Sequence, residues 1–443
     1  MDTAPVRTPT PAPAPTPPSA PAPARARLPP QWRLGLAGVA GIGVTFGFAR
    51  YGYGLFLPEF RRDFGLSVAQ VGLIGSAGYV GFLAALLLVG GLVARFGPRP
   101  LVVTGGLSAT VGMVLVSVAR DPGTLTAGLV LAGTSPGWAW APYSDAVDRM
   151  VPAGLRAKVM GAIATGTAFA VVLAGPLALL ARDTGWRFVW LVFAALTLLT
   201  TVGNARVLPT GPHRRQTAGT TDGKPDGKPP GKPERTALRT FATRRAVPLF
   251  WTAVLYGLVG AVYWAFAVEA VSDAAGEGSI IVPLFWTVMG LSGTAGVLTG
   301  HAVSRYGLRA VHTGLFAGIT AAVALLGAAP GTLGAVLVSG LLYGPSFMAG
   351  SGLLAVWSYR VFPAQPSTGF SATVFFVGLG TVAGPAALGA AADSYGLRTA
   401  LLVTAALGAA SLAMRPAHSA GGEAGSEPGA STGARADAAA GAE

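Results

Sequence analysis

The sequence predicts an all-α membrane protein whose twelve transmembrane helices form two six-helix bundles related by a parallel repeat. Three observations predict it. The 443-residue chain is 52% hydrophobic and only 11% charged, with a mean hydropathy of +0.56, where a soluble domain carries about a quarter charged residues. Its apolar residues gather in runs near the ~20 residues that cross the hydrocarbon core as a helix. Landmarks of the first half recur in the second at a nearly constant offset.

The runs are 33–57, 67–94, 100–119, 124–147, 158–181, 186–207, 247–270, 279–303, 309–328, 332–357, 367–391 and 397–414. Six lie on each side of a basic Pro/Gly/Thr-rich stretch. The segment ARFGPR (94–99) returns as SRYGLR (304–309), so that Arg95 matches Arg305 and Gly97 matches Gly307. Pro136 likewise matches Pro345, Gly175-Pro176 matches Gly384-Pro385, and Arg187 matches Arg398. A parallel six-plus-six duplication accounts for this register.

The division that follows is a Pro/Ala-rich N-terminal tail (1–32), a first bundle (33–207), a basic linker (208–246), a second bundle (247–414) and a Gly/Ala-rich C-terminal tail (415–443). Both tails lack anything to bury and are expected to be disordered. No apolar h-region precedes Trp32, so no cleavable signal peptide is expected. Most of the 31 Lys and Arg residues fall in the tails, the linker and the loops on its side. Arg206, Arg244 and Arg245 flank the linker, and this bias places both termini in the cytoplasm.

The net charge of +13 does not indicate nucleic acid, because the basic residues lie between apolar runs and form no face of a soluble domain. The chain has no cysteine, which excludes disulfides and thiolate sites. His213, His301, His312 and His418 are scattered without ligand spacing. No cofactor or metal is expected. With no converging nucleophile or paired carboxylates in the spans, neither is an enzyme.

The stretch from Gly90 and Gly91 through Arg95, Gly97 and Arg99 resembles the G-x-L-x-D-R-x-G-R-R loop of the major facilitator superfamily. Its second copy begins at Gly300 and carries Arg305, Gly307 and Arg309. Ala94 and Ser304 stand where the family has an Asp that latches the cytoplasmic face, so the latch is absent or rebuilt, with Asp145 or Asp148 beside Arg149 as substitutes. Gly175-Pro176 and Gly384-Pro385 are similar to a glycine-proline motif of antiporters, although Leu179 replaces an expected glycine. Gly47, Arg50, Tyr51, Tyr53 and Pro58 form a pattern found in some bacterial permeases. The resemblance implies a secondary transporter that rocks two bundles about a central site in the bacterial cytoplasmic membrane. Its partners would be a small-molecule substrate and the lipid bilayer, with protons one option for the coupling ion, and it would act as a monomer.

Arg50 is the most informative residue. It interrupts FGFARYGYGLFLPEF (46–60), about 10 Å below the end of its helix at 1.5 Å per residue. A guanidinium at that depth needs a partner, water or a task. Three readings stand: snorkelling toward Glu59 or Asp63, binding an anionic substrate group, or pairing with Glu269 as a gate. Helical spacing puts Gly43, Gly47, Arg50 and Gly54 on one face. Tyr51, Tyr79, Trp138, Tyr256, Tyr263, Trp264, Trp286 and Tyr343 sit at mid-membrane positions, either lining a cavity or packing. Asp145 and Glu269 are the carboxylates nearest the spans and hence the candidates for coupling or gating. Efflux of an apolar or amphipathic molecule is the first expectation, from the aromatic set. The alternatives are transport of a small organic anion on Arg50, and a non-transporting membrane receptor or scaffold.

Overall fold

The computed structural model describes residues 29–212, 244–276, 279–363 and 365–416; most of both tails and of the linker lies outside them. Among the described residues there is helix and no strand. The first span is built from Pro30–Ile42, a π-helical stretch Gly43–Arg50 and the turn Gly52–Leu55. A short helix, Leu57–Phe64, leads into the second and third spans, Val68–Phe96 and Pro98–Val118. The fourth is Pro122–Thr134, a 3-10 turn Ser135–Trp138 and Trp140–Met150; the fifth joins Ala153–Ala164 to Gly166–Thr184; the sixth is Trp186–Val207.

The seventh span is Ala246–Ala275, and the eighth runs from Ile281–Gly293 through Thr294–Leu298 into Thr299–Ala328. That last helix breaks at Gly307, where the eighth span ends and the ninth begins. Leu333–Val361, Pro366–Tyr395 and Leu397–Ala410 complete the set. Nine helices among the described residues are long and apolar enough to cross a membrane. One of them holds two spans, the fourth span is interrupted, and the twelfth is short. All twelve expected runs are thereby accommodated.

Local chemistry explains the boundaries. Ser67 and Gln70 form a reciprocal capping box that starts the second span. Gly97, at φ 80°, ends it, and Pro98 opens the third; a left-handed glycine followed by a proline at the first helical position is the expected stop and start. The repeat is visible in the backbone. Gly65 and Gly276, Gly97 and Gly307, and Gly185 and Gly396 are pairs of positive-φ glycines at matching positions. Arg187 donates to Ala119 O, and its counterpart Arg398 to Ala328 O.

Alternating spans put the ends at Pro30, Val207, Ala246 and Ala413 on one face, the terminal face, and Leu57–Phe64 on the opposite, distal face. The second span packs against the eleventh and the fifth against the eighth. The backbones approach closely where Gly72 meets Pro385 O and where Gly175 meets Thr287; small residues permit such approach in the membrane. Ala386 N–H donates to Ser76 Oγ at 3.0 Å across the same seam. Residues 259–271 of the seventh span are buried without interruption, which makes it the central post of the distal half.

Candidate functional site

Arg50 ends the π-helical stretch. There Tyr51 N–H donates to Phe46 O, an i→i+5 turn that widens the helix and often marks a functional position. The widening corrects the expectation of a shared face. Gly43 and Gly47 meet Gly166 and Ala170 of the fifth span, while Arg50 is turned onto the second. Its guanidinium carbon lies 4.2 Å from the ring centre of Phe82, 4.6 Å from Tyr79, 5.6 Å from Phe46 and 5.8 Å from Tyr51. Faces of aromatic rings attract a cation at such distances. The Nε atom is buried and without a hydrogen-bond partner, and among the described residues no carboxylate pairs with it.

A cavity of about 30 Å³ lies beside Arg50, bounded by Tyr53, Gly54 and Tyr79 on one side and Trp264 and Ala265 on the other. It therefore touches both halves of the chain. Tyr51, the residue after Arg50, stacks on the lining Trp264 at 3.9 Å. Behind Trp264 stand Trp286, Tyr343 and Phe347, edge-on at 5.4 to 5.8 Å.

The other aromatic candidates divide by their hydroxyls and burial. Tyr263 stacks on Tyr343 at 3.6 Å and shares a hydrogen bond with Ser339 Oγ, while Tyr343 donates to Gly260 O. Tyr256 donates to Phe347 O at 2.6 Å. Tyr263, Trp286 and Tyr343 have no exposed surface; in this state they are packing behind the cavity wall. Trp138 lies against Gly105 of the third span, away from Arg50. Its neighbour Trp140 is the one that meets Phe46, at 6.2 Å.

The carboxylates are engaged elsewhere. Glu269 is 2% exposed and pairs with Arg61 of Leu57–Phe64, so the expected Arg50–Glu269 gate is not what forms. Asp145 pairs with Arg149 at 2.6 Å, and Arg149 donates to Gly211 O. Arg99 donates to Leu208 O at 2.7 Å, and Gly97 sits against Gly211. The loop motif of the first half thus holds the start of the linker. In the second half Gly300 and Gly307 meet nothing within 4 Å, and Arg305 lies over Tyr306. Gly90 is equally open, while Gly384 abuts Leu258 of the seventh span. Among the described residues no group of three or more potential metal ligands occurs.

The comparisons agree with this architecture. The family model of the Major Facilitator Superfamily matches residues 39–385. The chain belongs to the major facilitator superfamily. It is 32% identical over 182 residues to monocarboxylate transporter 11 of Homo sapiens, covering 40% of this chain and 38% of that one. It is 32% identical over 161 residues to a probable actinorhodin transporter of Streptomyces coelicolor, covering 35% and 28%. The alignments thus span well under half of these relatives. A solved bacterial homologue of the human lysosomal transporter Spinster, inward-facing and unoccupied, superposes with a TM-score of 0.67 at 17% identity, covering 88% of this chain and 97% of that one. Membership makes the chain a multi-pass membrane protein of a transporter superfamily.

Several features of the structure escape sequence reasoning. Phe46 and Phe82 read as ordinary lipid-facing apolar residues, and Arg61 reads as one more loop cation. His312, at a span end, is wholly buried against Phe316 and Trp357 with neither ring nitrogen bonded. Only the spacing of Phe46 and Arg50, four apart on one helix, carried a signal.

Proposed function

We propose that this transporter moves a small organic anion, a carboxylate with an apolar body, by alternating access, and that Arg50 binds its anionic group. The observation that carries the reading is the guanidinium held at membrane depth by four aromatic rings, with no carboxylate to neutralise it. Such a cation is stable there only with compensation, and a bidentate carboxylate supplies it with good geometry. The relative named for monocarboxylates supports the same substrate class.

The cavity of about 30 Å³ holds roughly two waters, at ~10–15 Å³ for each, and is too small for a carboxylate with an apolar body. Substrate entry therefore requires the walls formed by Gly54 and by Trp264 and Ala265 to part, which is the movement that alternating access supplies. The aromatic wall supports the apolar body of the substrate and is the feature that favours the second reading, efflux of an uncharged amphipathic molecule.

The termini are taken as cytoplasmic, in the cytoplasmic membrane of a bacterium, from the distribution of basic residues. Protons remain the first coupling ion to test, and Glu269, in its pair with Arg61, the group through which to test them. The domain division and monomeric state are carried from the sequence as part of the same proposal.

Proteoliposomes of the purified chain, offered radiolabelled benzoate and lactate against a hydrophobic cation such as tetraphenylphosphonium, test the reading. Saturable carboxylate flux that Arg50→Ala abolishes is expected. Carboxylate flux unchanged in Arg50→Ala, or flux of the cation alone, overturns it.

A further inference from the structure

A second cavity, of about 10 Å³, lies wholly within the first half, among the first, third, fourth and sixth spans. Two irregular backbone stretches border it, the π-helical Gly43–Arg50 and the 3-10 turn Ser135–Trp138. Irregular backbone at membrane depth is tolerated where it lines a cavity or holds an ion. The side chains that reach the cavity include Thr45, Ser135, Tyr143, Thr201 and Asn204, each 0 to 5% exposed.

Their hydrogen bonds are lopsided. Thr45 Oγ1 donates to Gly41 O at 2.8 Å and Thr201 Oγ1 to Thr197 O at 2.7 Å. Tyr143 Oη donates to Asn204 Oδ1 at 2.9 Å, and Asn204 Nδ2 donates to Ala37 O and Thr200 O, both at 3.0 Å. These donor protons are all spent on protein acceptors, which leaves oxygen lone pairs as what the groups offer the cavity. Ser135 Oγ is fully buried and has no partner at all. A buried hydroxyl without a partner is costly and asks for an occupant.

The fold does not demand this cluster. By the repeat register Thr45, Ser135 and Thr201 correspond to Gly257, Gly344 and Leu412, none of which has a side-chain oxygen. Val102 and Gly106, which open the space, correspond to His312 and Phe316, whose rings lie 4.7 Å apart in the second half. At the same place the first half carries less bulk and more side-chain oxygens than the second.

We infer that this cavity is a binding site for a small dehydrated monovalent cation, sodium being the probe of choice, coordinated by Ser135 Oγ, Thr45 Oγ1, Thr201 Oγ1 and Asn204 Oδ1. Hard cations take oxygen ligands. At Thr45, Thr201 and Asn204 the donor protons are spent on protein acceptors, and the unpartnered Ser135 hydroxyl can rotate its proton away, so the cavity presents oxygen lone pairs that suit a cation better than an anion. No carboxylate lines the cavity, so nothing repays the dehydration of a divalent ion. Such a site also gives the transporter a coupling ion that needs no titrating group.

Thermal unfolding of the purified full-length chain in NaCl, KCl and choline chloride at equal ionic strength tests the assignment. A saturable rise in Tm of several degrees, seen with sodium and absent with potassium and choline, is expected, since an ion bound only to the folded state stabilises it by mass action. Ser135→Ala and Thr45→Val should each lose the sodium-specific rise while unfolding in choline at the wild-type temperature. If one variant fails to fold, the other decides. Equal Tm in all three salts, or a sodium rise that survives in a folded variant, overturns the site and leaves it a buried-water cavity. The readout needs no substrate, so it stands or falls independently of the carboxylate reading.

Discussion

The buried carboxylate of Glu269, on the seventh span, pairs with the guanidinium of Arg61, on the short helix after the first span, across 208 residues of chain. The pair joins the two halves at the distal face, beside the stack of Tyr51 on Trp264. Removing one partner of a buried pair costs ~3–5 kcal/mol, because the other charge is left uncompensated. Arg61 is 27% exposed and solvent screens it, so about 1–3 kcal/mol is the appropriate range here. Glu269→Gln should therefore populate a state open at the distal face. The cysteine-free chain allows a single reporter, Gly78→Cys, which lines the cavity with its nearest neighbour a tolerable 3.6 Å away. Maleimide labelling of that cysteine should quicken in Glu269→Gln and return toward the wild-type rate when Arg61 and Glu269 are exchanged. An unchanged rate in Glu269→Gln would show that the pair does not hold the face shut.

Arg50→Lys separates charge from geometry. Lysine keeps a positive charge at the position but loses the planar fork that grips a carboxylate at two points. Carboxylate KM in proteoliposomes should rise at least ~10-fold, equivalent to ~1.4 kcal/mol, with the variant still folded. A KM equal to wild type would mean that Arg50 acts as a point charge or not on substrate at all.

The matched glycines Gly97 and Gly307 share φ near 80° but not surroundings. An alanine at either is strained by ~1 kcal/mol or more in the left-handed region. At Gly307 the added methyl meets nothing within 4 Å, whereas at Gly97 it runs into the backbone of Gly211. Gly97→Ala should thus lower Tm several degrees further than Gly307→Ala. Equal losses would indicate that the contact between the loop and the start of the linker contributes nothing to stability.

Apolar run length and the repeat made the fold legible, because both are written in the order of residues along the chain. The depth and oddity of Arg50 were legible for the same reason. Its surroundings were not. The π-helical stretch Gly43–Arg50 rotates Arg50 away from Gly43 and Gly47, and nothing in a period of 3.6 residues announces it. The partner of Glu269 was equally hidden, since several loop cations are equivalent until the short helix Leu57–Phe64 presents Arg61 to the seventh span. Trp138 and Trp140 differ by two positions, and the 3-10 turn between the halves of the fourth span decided which of them approaches the first span.

Gly54 gives the sharpest test of how the distal face closes. Its α-carbon lies so near Trp264 O and Ala265 that any side chain would collide with backbone, and backbone has no rotamer to yield. The collision falls between the first and seventh spans, on the two sides of the cavity, so a larger residue must push the halves apart there and need not disturb packing inside either. Gly54→Val should then mimic loss of the Arg61–Glu269 pair, with faster labelling of Gly78→Cys, yet combining it with Glu269→Gln should add little, because both act on one opening. Full additivity of the two effects would place them on separate movements and contradict a single distal gate.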